Sequence, residues 1–285
     1  MTSQRIAVNG VALNVELRKP TPEAVAHNAP SAPTLVLLHG FTGSAAGWGA
    51  HLDAFAAAGL RIIALDMLGH GASDAPADSQ RYVMERCHDD ILATLVALGV
   101  APGEATLLGY SMGGRIALYT ALRSHGFFRR LILESASPGL ASADERAARR
   151  ASDDALATRI ERDGVPAFVD YWQDIPLFAS QRALPPQRQQ ALRAQRLRNT
   201  PHGLANSLRG AGTGAQPSLY SELPTLTVPT LLIVGEFDTK FCAIARQMAD
   251  ALPNAQLAIV PHAGHAVHFE RPTEFDALVT AFCAG

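Results

Sequence analysis

Three residues that are far apart in the chain have the right types and the right order to work as one chemical unit: Ser111, Asp238 and His265. A serine hydroxyl becomes reactive when a base takes its proton, and the base needs a third group to orient it. Ser111 sits in Gly109-Tyr110-Ser111-Met112-Gly113, with a strand-like run before it and a helix-like run after it. That context turns a bare GxSxG into a nucleophile elbow, because the turn is too tight for side chains on either flank of the serine. Asp238 in GEFDTKF and His265 in PHAGHAVHF each follow a late apolar run, so both are expected just past a strand end. Glu236 is a rival for the acid. His262, His265 and His268 are spaced like metal ligands, but nothing completes such a set and a serine elbow needs no metal, so neither a metal nor a cofactor is expected. His39 and His70 are expected to hold loops together. Backbone N–H groups should bind a developing oxyanion, one from Met112 and one from the Gly-rich loop after TLVLLHG, at Phe41.

Arg115, four residues after Ser111, needs its own explanation. The first turn of a helix disfavours a cation. Either Arg115 is a surface arginine paired with a carboxylate, or it clamps an anionic substrate group beside the serine, a task for which the planar guanidinium fork is suited.

Elements of two kinds must position these groups. Buried strand-like runs at Thr34–Gly40, Arg61–Asp66, Ala105–Tyr110, Leu131–Ser135, Thr230–Gly235 and Gln256–Pro261 alternate with helical segments near Trp48–Ala58, Met84–Leu98, Met112–Arg123 and Phe241–Leu252 and at the C-terminal end. Such alternation predicts an α/β fold: a mostly parallel twisted sheet with helices on both faces. Asn9-Gly10 predicts a hairpin before it, and Lys19–Pro33 reads as an extended surface loop. From about Gly139 to Leu219 the strand runs stop and helical spacing takes over. This divides the chain into a core, residues 1–138 and 220–285, and an inserted all-helical cap, 139–219. A cap there lies over the carboxyl ends of the strands, where open α/β sheets bind ligands. Between Gly139 and Thr200 there are ten arginines and no lysine against eight acidic residues, so this stretch is positive in a chain of net charge −2. Most of these arginines fit solvated helix faces, yet the excess suits an anionic ligand.

Composition excludes several function classes. No basic stripe points to nucleic acid, no apolar stretch is long enough for a membrane span, and no signal-peptide pattern stands at the start. Three scattered cysteines fit a reducing compartment, so a cytoplasmic protein, a monomer or a small homo-oligomer, is expected.

The elbow, the order of the three residues and the inserted cap resemble the α/β-hydrolase superfamily over nearly the whole chain. More narrowly, GYSMGGR, SASPGL followed by ERAARRASD, WQDIPLFAS, GEFDTKF and AGHAVHFERP are similar to the 2-succinyl-6-hydroxy-2,4-cyclohexadiene-1-carboxylate synthases of the menaquinone pathway. The resemblance implies a lyase that eliminates pyruvate from an enolpyruvyl tricarboxylate. It carries the family's catalytic residues onto Ser111, Asp238 and His265, and its substrate arginines onto Arg115, Arg149 and Arg196. The rival registers are Arg146 or Arg150 for the second arginine and Arg193 or Arg198 for the third. Tyr110 and Trp172 match pocket aromatics. In this scheme Ser111 acts as a general base. A carboxylesterase or C–C bond hydrolase with the same three residues remains the alternative, and a non-catalytic ligand-binding receptor a distant one.

Overall fold

The computed structural model describes residues 2–21 and 32–285. Most of the loop expected over Lys19–Pro33 therefore lies outside the described residues. The chain opens with the hairpin β1 (Thr2–Val8) and β2 (Val11–Arg18), closed by Asn9-Gly10, both at positive φ. Then follow β3 (Thr34–Leu38), α1 (Ala50–Ala57), β4 (Arg61–Leu65), α2 (Met84–Ala97), β5 (Ala105–Tyr110), α3 (Met112–Arg123) and β6 (Phe128–Glu134). The helix expected near Trp48–Ala58 is split. A short 3-10 turn, Ala45–Trp48, ends at Gly49, and α1 begins after it.

Between β6 and β7 the elements are all helical: α4 (Ala143–Trp172), a 3-10 segment at Pro176–Ala183, α5 (Pro186–Arg196) and α6 (Pro201–Ala211). A further 3-10 turn, Tyr220–Thr225, leads back to the sheet. Helix α4 starts with a reciprocal cap, in which Ser142 accepts from the Asp144 and Glu145 N–H groups and Glu145 reaches back to the Ser142 N–H. It is two helices joined at Gly164, whose φ of 80° breaks the ladder, with Pro166 opening the second. The chain closes with β7 (Thr230–Gly235), α7 (Thr239–Ala251), β8 (Ala255–Val260), α8 (Val267–Glu270) and α9 (Pro272–Ala284).

The eight strands form one sheet in the order β1-β2-β4-β3-β5-β6-β7-β8. Strands β1 and β2 pair antiparallel, as do β2 and β4, and every other pair is parallel. The central strands read as unbroken apolar runs because both faces are covered. In β3, Val36 and Leu38 belong to the apolar cluster on the face that also holds Ile116 of α3 and Met248 of α7, while Leu35 and Leu37 belong to the one that holds Phe55 of α1 and Phe275 of α9. A third apolar cluster lies wholly between α4 and α6, from Ala157 and Phe168 to Leu204 and Leu208. The helical segment thus carries an apolar core of its own and meets the sheet at the carboxyl ends of the strands.

Candidate active site

Ser111 stands between β5 and α3 with φ 51° and ψ −107°, a conformation that a non-glycine residue holds only under constraint. The constraint is visible on both sides. The Ser111 N–H donates to the Glu134 carbonyl at 2.8 Å. A Cβ on Gly113 would stand 2.3 Å from the Leu38 carbonyl oxygen, and one on Gly109 would stand 2.3 Å from the Gly113 oxygen. The two glycines let strand and helix approach closely enough to lift the serine out of the sheet.

Asp238 follows β7 and caps α7, accepting from the Phe241 N–H. His265 follows β8 and is 1 % exposed. The Ser111 hydroxyl donates to His265 Nε2 at 2.9 Å, and His265 Nδ1–H donates to Asp238 Oδ2 at 2.6 Å. Glu236 lies away from this chain of bonds; it is exposed and accepts from the His262 N–H. The three histidines of the PHAGHAVH segment take three different roles. His262 is at a positive-φ turn, His265 meets Ser111, and His268 donates to the fully buried Glu134 at 2.9 Å.

The loop after β3 is held from below and above. His39 accepts from the Met67 N–H at 3.0 Å and donates to the Gly40 carbonyl at 2.8 Å. His70 packs against His39, and burial pushes its pKa down to about 3. From above, the Phe41 ring meets Phe168 and Trp172 edge-on, and Asn199 donates to the Thr42 carbonyl. Phe41 and Met112 both border the cavity beside Ser111, and the Met112 N–H is at the first position of α3, where no helical acceptor precedes it.

That cavity holds about 560 Å³ and is lined by Ser111, Tyr110, Trp172, His265, Arg115 and Arg149, among others. Arg115 is buried and, among the described residues, lacks a carboxylate partner; its Nη1 donates to the neutral Gln216 Oε1 at 2.9 Å. Burial, with help from the Arg149 charge, pushes its pKa down to about 10, so it stays cationic near neutrality. The surface-pair reading of Arg115 therefore falls. Arg149 is half-exposed and bonded to Asp153 at 2.7 Å. Its register rivals turn elsewhere: Arg146 donates to the Leu140 and Ala141 carbonyls, and Arg150 to the Gly214 carbonyl.

Arg196 is buried where Arg193 pairs with Asp170 on the surface and Arg198 is exposed. It does not reach the Ser111 cavity. It lines a smaller chamber of about 50 Å³ with Gln181, His268 and the Gly40–Gly43 loop. Its guanidinium lies 4.9 Å over the Phe178 ring. Phe41, Tyr110 and Phe178 line both spaces, which therefore adjoin. Of the three expected arginines, Arg115 and Arg149 line the Ser111 cavity, and Arg196 lines the adjoining space, stacked on Phe178. Sequence reasoning missed Gln216, Phe178 and Lys240, which also line or support the site. For Lys240 and Phe178 the signal was present in GEFDTKF and WQDIPLFAS; for Gln216 it lay only in the packing of the helical segment.

Comparison with known proteins follows this geometry. Residues 33–272 match the family model of the alpha/beta hydrolase fold. A 2-succinyl-6-hydroxy-2,4-cyclohexadiene-1-carboxylate synthase of Salmonella agona (strain SL483) is 35% identical over 244 residues, 85% of this chain and 90% of the relative. A Bacillus subtilis (strain 168) protein, to which the same synthase name is attached provisionally, is 44% identical over 271 residues, 95% of this chain and 97% of the relative. The solved structure of MenH from S. aureus superposes with a TM-score of 0.87 at 35% identity, covering 95% of this chain and 97% of that one.

Proposed function

Because the chain belongs to the alpha/beta-hydrolase fold family and, within it, to the 2-succinyl-6-hydroxy-2,4-cyclohexadiene-1-carboxylate synthases, we propose that its buried serine works as a base in an elimination. The enzyme is a lyase of menaquinone biosynthesis. It releases pyruvate from 2-succinyl-5-enolpyruvyl-6-hydroxy-3-cyclohexene-1-carboxylate to leave 2-succinyl-6-hydroxy-2,4-cyclohexadiene-1-carboxylate. The observation that carries the reading is Arg115: a buried cation with no carboxylate partner among the described residues, one helical turn from Ser111. A buried unpaired charge is costly, and a ligand carboxylate removes that cost. An ester-hydrolysing site has no such requirement.

The steps follow from the bonds. Substrate carboxylates engage Arg115 and Arg149 and bring the C–H next to the succinyl ketone against Ser111. The Ser111 oxygen takes that proton as its own passes to His265 Nε2, and Asp238 stabilises the resulting imidazolium through Nδ1–H. The ketone oxygen gains negative charge, which the Phe41 and Met112 N–H groups accept. The electrons then move through the ring, the C–O bond to the enolpyruvyl group breaks, and the departing group takes up a proton from His265 and becomes pyruvate. Tyr110 and Trp172 flank the ring. Residues 139–219 act as the cap that supplies Arg149, Trp172 and Phe178, and the chain works in the cytoplasm as a monomer or small homo-oligomer. Its three cysteines are free and buried, and no helix among the described residues is long and apolar enough to cross a membrane.

The test is pyruvate release from the enolpyruvyl tricarboxylate, with Ser111→Ala as control. Turnover by the parent and loss in the variant support the reading. Ester hydrolysis with no pyruvate release contradicts it.

A further inference from the structure

Among the described residues, Lys240 is the one cation lining the Ser111 cavity that the steps above leave without a task. Its surroundings do not explain it. It occupies the second position of α7 (Thr239–Ala251), where the helix dipole disfavours a positive charge, as it does at Arg115. Among the described residues it forms no ion pair, and its ammonium is 6.0 Å from the Phe241 ring centroid. Phe241 in turn packs edge-on against His265 at 4.6 Å and also lines the cavity. Lys240 thus lines the cavity on its α7 side, next in sequence to the ring that packs on the catalytic histidine. The chain has only two lysines, Lys19 and Lys240, so this is not one of many solvated lysines on the surface.

The charge balance of the cavity gives it a role. A tricarboxylate brings three negative charges. Among the described residues Arg115 has only a neutral amide as side-chain partner, Arg149 is partly neutralised by Asp153, and Arg196 lines the smaller adjoining space rather than the Ser111 cavity. Glu145, a carboxylate on the cavity lining, is drawn back into the cap of α4 by the Ser142 N–H. Two guanidinium groups thus face three carboxylates.

We propose that Lys240 binds the third substrate carboxylate, acting with Arg115 and Arg149 in the Ser111 cavity. This assignment rests on the lyase reading. As a compact ammonium with three donors and a flexible stem, Lys240 follows a carboxylate without imposing the fixed fork of a guanidinium. Its pull is present in the bound substrate and in the transition state alike, so its loss is read chiefly in KM.

The experiment measures pyruvate release by the parent, Lys240→Met and Lys240→Arg over a range of substrate concentrations. Lys240→Met is expected to raise KM about tenfold or more, with a much smaller effect on kcat. Lys240→Arg is expected to recover most of that loss. The side chain is exposed, so the thermal midpoint should match the parent's and exclude a folding defect. Turnover by the parent with an unchanged KM in Lys240→Met overturns the Lys240 assignment alone. A KM loss that Lys240→Arg shares in full also overturns it, since charge is then not what the site uses. No pyruvate release by the parent overturns the lyase reading and this assignment together.

Discussion

Arg115 shows how much one side chain decides here. Its burial removes water from a permanent charge, and among the described residues its side chain keeps one hydrogen bond, donated to the Gln216 Oε1. A charge-assisted bond to a substrate carboxylate contributes about 1.5–3 kcal/mol. Arg115→Ala should therefore lower kcat/KM for pyruvate release about 10- to 100-fold, as steady-state kinetics would show. A change of less than twofold would mean that the charge serves only packing. Ser111→Ala should be far more severe, because it removes the proton acceptor itself. Effects of about 10³-fold or more are expected when one member of such a cooperating set is removed, and a variant retaining a tenth of the rate would place the base elsewhere.

At the scale of elements, the elbow depends on how closely α3 lies against β3. A methyl group on Gly113 would meet the Leu38 carbonyl at 2.3 Å, which is backbone and cannot swing aside. Gly113→Ala should push Ser111 away from the Phe41 loop. A displacement on the order of 1 Å costs about 10²-fold in rate, so the variant should lose activity and melt at a lower temperature. Parent-like kinetics and melting would refute the close-approach argument. This part of the site was legible in the sequence, because GxSxG between a strand run and a helix run is a local pattern. Asp238 and His265 were legible for the same reason, since each follows a buried strand run. The two chambers were not. Arg196 stacks on Phe178 of a 3-10 segment, whose ring also meets Trp172 and His265, and no local spacing encodes those contacts. The kink in α4 was written in Gly164-x-Pro166, but helical composition on both sides masked it.

For the molecule as a whole, buried histidines tie the loop that carries Phe41 to global stability. His70 titrates near 3 in the folded chain and near its ordinary 6.5 when unfolded. Between those values the unfolded state binds the extra proton, so stability falls as pH drops below 6.5 and the loss is complete near 3. At pH 5 this single group costs about 2 kcal/mol. Denaturant unfolding at pH 7 and pH 5 should show a smaller difference in His70→Asn, by about that amount. An unchanged difference would mean that His70 is not what makes the fold acid-sensitive. The same architecture brings strand ends, the Phe41 loop and the helical segment together at the cavity where Ser111 is proposed to remove a proton. The most direct test is the rate of pyruvate release from substrate carrying deuterium on the ring carbon that bears the succinyl group. The account predicts severalfold slower release than from the protonated substrate under conditions where chemistry limits the rate. Equal rates, together with an acyl adduct on Ser111 in quenched enzyme, would contradict it.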